Sequence, residues 1–186
     1  MHHKGYGLAN RNFGVVCGPD TRYAIGELTQ CFTAVLALQL IEARKLQLDT
    51  RVAQVLREYQ GFAIGAITVQ QLMQHSSGLA SYTDAAAYQR RTREVMSPLQ
   101  LIEMVKYTPL SHSPGTQFRY SPTNYLLLGL LLERVAGMPY AQLLQEKILQ
   151  PCGMNSSGML SATEVTTQLA TGYRQQQGRY SLPPYH

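Results

Sequence analysis

The chain has 186 residues, 45% of them hydrophobic and 15% charged, with 16 Lys and Arg against 11 Asp and Glu. That length holds one domain, or a domain and a half, with a real hydrophobic core, and its longest apolar run, Tyr125 to Leu132, is broken by Gly129 and too short to span a bilayer. The net charge of +5 gathers only at Arg90, Arg91 and Arg93; with no aromatic stacking pattern beside it, that cluster reads as a solvated face and argues against a nucleic acid partner.

In chain order, Met1-His2-His3-Lys4 runs into glycines without an apolar h-region, so no signal peptide is expected and the location reads as cytoplasmic. Asn12 to Pro19, with two glycines and a proline, reads as a hairpin or loop, and Thr21 to Ile25 as a short strand. Gly26 allows a tight turn. From Leu28 to Arg44 there is no Gly or Pro, and apolar residues at Leu28, Phe32, Val35, Leu36, Leu38, Leu40 and Ile41 cover more than one stripe, as expected of a helix buried on most sides. Asp49 is placed to cap a short helix through about Arg57. Thr68-x-x-Gln71 is a capping box opening a helix to about His75, and Ser97-Pro98-x-Gln100 opens another. Between them, Tyr82 to Glu94 is polar and reads as a helix over a cleft. Ser121 and Pro122 start a leucine-rich core helix that Gly137 ends, and Tyr140 to Leu149 is one more amphipathic helix. From Asn155 onward the chain is polar and loop-like.

Several runs, in order, resemble the penicillin-recognising serine hydrolases: class C β-lactamases, DD-peptidases and related esterases. Lys4-Gly5-Tyr6-Gly7-Leu8-Ala9-Asn10 resembles their second strand. Ile25-Gly26 and Phe32-Thr33-Ala34 frame their nucleophile segment, in which Ser-x-x-Lys follows the glycine. His75-Ser76-Ser77-Gly78-Leu79, Pro114-Gly115-Thr116-Gln117-Phe118-Arg119-Tyr120-Ser121, Pro151-Cys152-Gly153-Met154 and Ala170-Thr171-Gly172-Tyr173 resemble further family runs. The resemblance covers Lys4 to about Pro184. It implies an α+β, mostly helical fold: the helical domain of the β-lactamase/DD-peptidase-like fold with a short N-terminal remnant of its antiparallel sheet. Residues 1–26 are the sheet remnant, 27–160 the helical region and 161–186 a loop-like return. The family's C-terminal strands, with the Lys-Thr-Gly or His-x-Gly run that binds substrate carboxylate, are expected to be missing.

The same alignment of motifs puts Glu27 at the nucleophile position, Gln30 at the base position, Tyr120 at the retained tyrosine and Pro122 at the family's asparagine. Acyl transfer there needs a serine hydroxyl, a lysine one turn on to take its proton, and backbone N–H groups for the oxyanion. Gln30 has no basic nitrogen. A carboxylate at Glu27 would sit beside the oxygen that becomes negative, opposing the stabilisation required. The expectation is therefore a catalytically degenerate binding or interaction module. Its partners would be a small acyl-type ligand or a protein completing the sheet edge. An active serine hydrolase of esterase, peptidase or β-lactamase type is the alternative, and it would need Ser76, Ser77 or Ser121 as nucleophile. Cys31 is a further rival nucleophile, but it reads as a core residue. The family's His and hydroxyls at 75 to 77 imply a loop-holding role. Cys17, Cys31 and Cys152 read as reduced thiols. Neither these nor His2, His3, His112 and His186 have metal spacing, so no metal or cofactor is expected.

Overall fold

The computed structural model describes residues 4–92, 94–161 and 164–182. His2, His3, Arg93 and His186 lie outside them. The elements in order are a hairpin of β1 (Leu8–Asn10) and β2 (Val15–Val16), helices α1 (Thr29–Glu42), α2 (Val52–Val55), α3 (Val69–Met73), α4 (Ala86–Arg90), α5 (Pro98–Glu103), α6 (Pro122–Ala136) and α7 (Tyr140–Leu144), and a second antiparallel hairpin of β3 (Arg174–Gln176) and β4 (Arg179–Ser181). It is the mostly helical part of an α+β fold with a small sheet remnant at its N-terminal end.

Helix α6 is the axis. Leu127, Leu128, Leu131 and Leu132 are wholly buried, and the helix packs against α1, α2, α3, α5 and α7. Each such leucine contributes about 1.5–3 kcal/mol of burial. Pro122 sits in its first turn, where a missing N–H costs nothing, and Gly137 closes it at φ 69°. Thr68 and Gln71 form the capping box of α3: Gln71 N–H donates to Thr68 Oγ1 at 3.3 Å, and Thr68 N–H to Gln71 Oε1 at 3.0 Å. Ser97 and Gln100 do the same for α5.

Six expectations are corrected. Thr21 to Ile25 forms no strand; Arg22 makes one bridge, donating to Gln168 O at 2.9 Å and accepting from Ala170 N–H at 2.8 Å. Asp49 is not the cap of α2. Arg51 is, its N–H donating to Gln54 Oε1. Ser121 does not cap α6 through its hydroxyl, which donates to Ala80 O instead. Helix α1 is not buried on most sides: Thr33, Leu36, Ala37 and Leu40 face the core, whereas Leu28, Val35 and Leu38 are 64%, 45% and 50% exposed. Cys31 is exposed rather than packed inside. The tail is not all loop: β3 and β4 pair through Gln177-Gly178, both at positive φ. Two consecutive left-handed residues make a turn that suits a two-residue hairpin, but the strand residues are exposed and polar, so no apolar alternation marks them.

Helix α7 also runs on into a wider π turn over Gln145–Leu149. No helix among the described residues is long and apolar enough to cross a membrane.

Candidate functional site

Three segments meet at the start of α1. The first is the turn Gly26–Leu28, entered at Gly26 with φ 52°, which places Glu27 about one helical turn before Gln30. The second is the loop after α3, from His75 to Ala80. It is pinned at Gly78, where φ is +78° and a Cβ would fall 2.5 Å from His112 O, so only glycine fits. The third is Tyr120 and Ser121 running into α6. Ser121 and Thr123 hydroxyls both donate to Ala80 O, at 3.2 and 2.8 Å, and fasten the second segment to the third.

The side chains form one continuous hydrogen-bonded chain whose direction is fixed by backbone groups at one end. Ser121 N–H points at His75 Nδ1 at 3.4 Å, and a backbone N–H can only donate. Nδ1 is therefore the acceptor, and it takes a second bond from Asn124 Nδ2 at 3.0 Å. Asn124 Oδ1 in turn accepts from the Ser77 hydroxyl at 2.5 Å, and Ser77 Oγ accepts from Leu79 N–H at 3.1 Å. With Nδ1 accepting, the imidazole proton lies on Nε2 and goes to Gln30 Oε1 at 3.1 Å. Gln30 Nε2 then donates to Tyr120 OH at 3.0 Å, and the phenol hydrogen goes to Glu27 Oε1 at 3.2 Å. Every donor points the same way along the run from Ser77 to the carboxylate, an arrangement in which successive bonds polarise one another.

Gln30 suits its place because its amide accepts at one end and donates at the other. A lysine offers only donors. The tyrosine is held as a neutral phenol. Partial desolvation raises its pKa, the donated Gln30 amide hydrogen pulls it back, and the Glu27 carboxylate pushes it up again.

His75 is buried, at 8% exposure, and stands at φ 51°, a left-handed backbone that costs a non-glycine residue about 1–2 kcal/mol. Its three polar contacts and its packing between Tyr120 and Tyr125, with ring centroids 4.7 and 5.2 Å away, offset that cost. Burial holds the imidazole below its ordinary value of 6.5. The unfolded chain then takes up a proton before the folded one does. Stability is therefore full above about pH 6.5 and falls as the pH drops through the folded value. Unfolding free energies measured from about pH 8 to pH 5 are expected to decline in the natural chain and to decline less in His75→Gln. Identical slopes would show that the imidazole is not held as a neutral acceptor.

The structure brings Glu27, Gln30 and Tyr120 into contact, with Pro122 two residues further on, where it starts α6 rather than facing the cleft as a hydrogen-bonding group. Ser76, Ser77 and Ser121 are all buried, two of them committed to Asn124 and Ala80. Asn124, the hub between Ser77 and His75, was not anticipated. The signal was available: it lies four residues before Leu128 and seven before Leu131 on the buried face, and a buried amide must find partners. Among the described residues the ion pairs are Arg91–Glu94, Lys106–Glu103 and Arg134–Glu58, and none involves Glu27, Gln30 or Tyr120. No cluster of three His, Cys, Asp or Glu is arranged to hold a metal there.

Comparison with known proteins bears on the fold. The chain is 27% identical over 179 residues to Penicillin-binding protein 4 of Amycolatopsis lactamdurans, which covers 93% of this chain and 45% of that protein. It superposes on a penicillin binding protein from Bacillus halodurans with a TM-score of 0.85 and 26% identity, covering 96% of this chain and 55% of the other. The octameric penicillin-binding protein homologue from Pyrococcus abyssi gives a TM-score of 0.81 and 32% identity, covering 98% and 44%. The chain thus spans about half the length of the relatives it matches. The Beta-lactamase family model matches residues 1–186, from end to end, and the chain belongs to that family of serine hydrolase folds.

Proposed function

We propose that the chain is a non-catalytic member of its family, a module that binds a small acyl-type ligand in the cleft at Glu27 without opening it. The observation that carries this is the double engagement of Gln30: its oxygen accepts from His75 and its nitrogen donates to Tyr120, at the position where acyl transfer needs a base. The relay ends on an anion, so its protons point toward Glu27; the one open acceptor is that carboxylate, and Ser76, Ser77 and Ser121 are all buried. The family's penicillin-binding relatives make an acyl group the natural ligand class. The exposed apolar side of α1, at Leu28, Val35 and Leu38, supports a second element of the same reading, docking of a polypeptide on that side.

Cys31 gives the rival reading its one foothold, because its thiol is exposed beside this turn. The test covers both. The 186-residue chain is incubated with a chromogenic β-lactam and with p-nitrophenyl acetate, and its peptides are weighed by mass spectrometry. No release above buffer and no acyl adduct are expected. An adduct on Cys31 or on any serine of the cleft, with release continuing beyond one equivalent as water clears it, would make the chain a hydrolase with a displaced nucleophile.

A further inference from the structure

Glu27 is exposed, and only one of its two oxygens is used. Oε1 accepts from Tyr120 OH, while among the described residues no donor and no cationic side chain is bound to Oε2. Tyr120 touches it, and a further tyrosine pair is tied to the same end of α6. Tyr82 is carried by the short turn Tyr82–Asp84, which is tied to the start of α6: Tyr82 N–H donates to Thr123 Oγ1 at 3.0 Å, three residues after Tyr120. Tyr88 meets Tyr82 edge to face with centroids 5.2 Å apart. The two residues are half-buried and Tyr120 is 44% exposed, so all three are partly open to solvent. The negative charge of Glu27 reaches Tyr82 and adds to what desolvation, Tyr88 and Tyr120 do in raising its phenol pKa.

An anion beside tyrosine rings is the composition that recognises a positive ligand. The carboxylate supplies the countercharge, and the ring faces supply a quadrupole attractive to ammonium. An acylating site would gain nothing from this charge, because it opposes an oxyanion. We infer that the cleft formed by Glu27, Tyr82, Tyr88 and Tyr120 binds the ammonium group of its ligand, so that the acyl compounds it retains are those bearing a free or alkylated amine. This rests on the binding role proposed above and narrows it to a ligand class.

The test uses tetramethylammonium as the probe and tert-butanol as its neutral counterpart of similar shape, so no acyl chemistry enters. Side-chain resonances of Tyr82, Tyr88 and Tyr120 are followed by NMR during titration of each into the 186-residue chain. Saturable shifts with a millimolar Kd are expected for tetramethylammonium, with tert-butanol about tenfold weaker or worse. Glu27→Gln, an exposed and nearly isosteric change whose folding is checked by thermal melting, should weaken the cation about tenfold. Tyr82→Leu should weaken it while leaving the response of Glu27 to the cation in place. Equal shifts from the alcohol, unchanged binding in Glu27→Gln, or no saturation with the cation would each overturn the inference. An acyl adduct in the earlier assay would remove the non-catalytic reading while leaving these titrations to stand or fall by themselves.

Discussion

The double variant Glu27→Ser/Gln30→Lys is expected to hydrolyse neither a p-nitrophenyl ester nor a chromogenic β-lactam at a rate above buffer. Returning a hydroxyl and an amine restores two members of a set that acts as a unit. Sets of this kind lose on the order of 10⁴ to 10⁶ in rate when members are absent. The described strands are two hairpins of two or three residues per strand, and neither carries a Lys-Thr-Gly or His-x-Gly run. The substrate carboxylate would have no partner there, and the oxyanion would lack its second N–H donor. The lysine also breaks the relay. His75 keeps its proton on Nε2 because two donors, Asn124 Nδ2 and Ser121 N–H, occupy Nδ1. An ammonium in place of the Gln30 carbonyl gives that N–H no acceptor. Moving the proton to Nδ1 would instead strip Ser121 N–H of its own. The double variant should therefore also be less stable, by about 1–3 kcal/mol, the cost of one buried polar group left unmatched. Turnover in this 186-residue variant would show that the strands are not needed.

Asn124→Ala is expected to cost about 3 kcal/mol, because it removes two buried bonds at once. Asn124 is wholly buried, its oxygen taking the Ser77 hydroxyl and its nitrogen serving His75. Truncation leaves both of those groups short of a partner in a place that water does not reach. For a chain of this size that loss corresponds to a fall in Tm of roughly 6–12 °C. The effect should extend to the site, since His75 loses the contact that fixes its ring against Gln30. A melting temperature within about 2 °C of the natural chain would show that the relay is not cooperative.

What could be read from the chain alone follows from where the determinants lie. Capping boxes are local, so Thr68 with Gln71 and Ser97 with Gln100 were legible, as were Pro122 and Gly137 at the ends of α6. That Glu27, Gln30 and Tyr120 meet was legible too, because the runs that frame them resemble family runs in order. The relay was not. It joins residues 45, 46, 47, 49, 90 and 93 positions apart, and nothing in a linear pattern says that Gln30 and His75 will meet. Burial of α1 failed for a different reason. Periodicity records which residues are apolar, but whether Leu28, Val35 and Leu38 are covered depends on what lies opposite them. The second hairpin escaped notice because exposed strands need no alternation.

That uncovered strip of α1 has a bearing on handling. Two exposed aliphatic side chains on a rigid helix, with Tyr23, Ile25 and Leu28 also exposed just before it, give copies of the chain a surface on which to cling to one another. Salting-out ions strengthen such contact by being excluded from the surface. Colloidal behaviour should therefore worsen with concentration and with sulfate, and a charge placed at Val35 or Leu38, neither of which bonds to the relay, should relieve it.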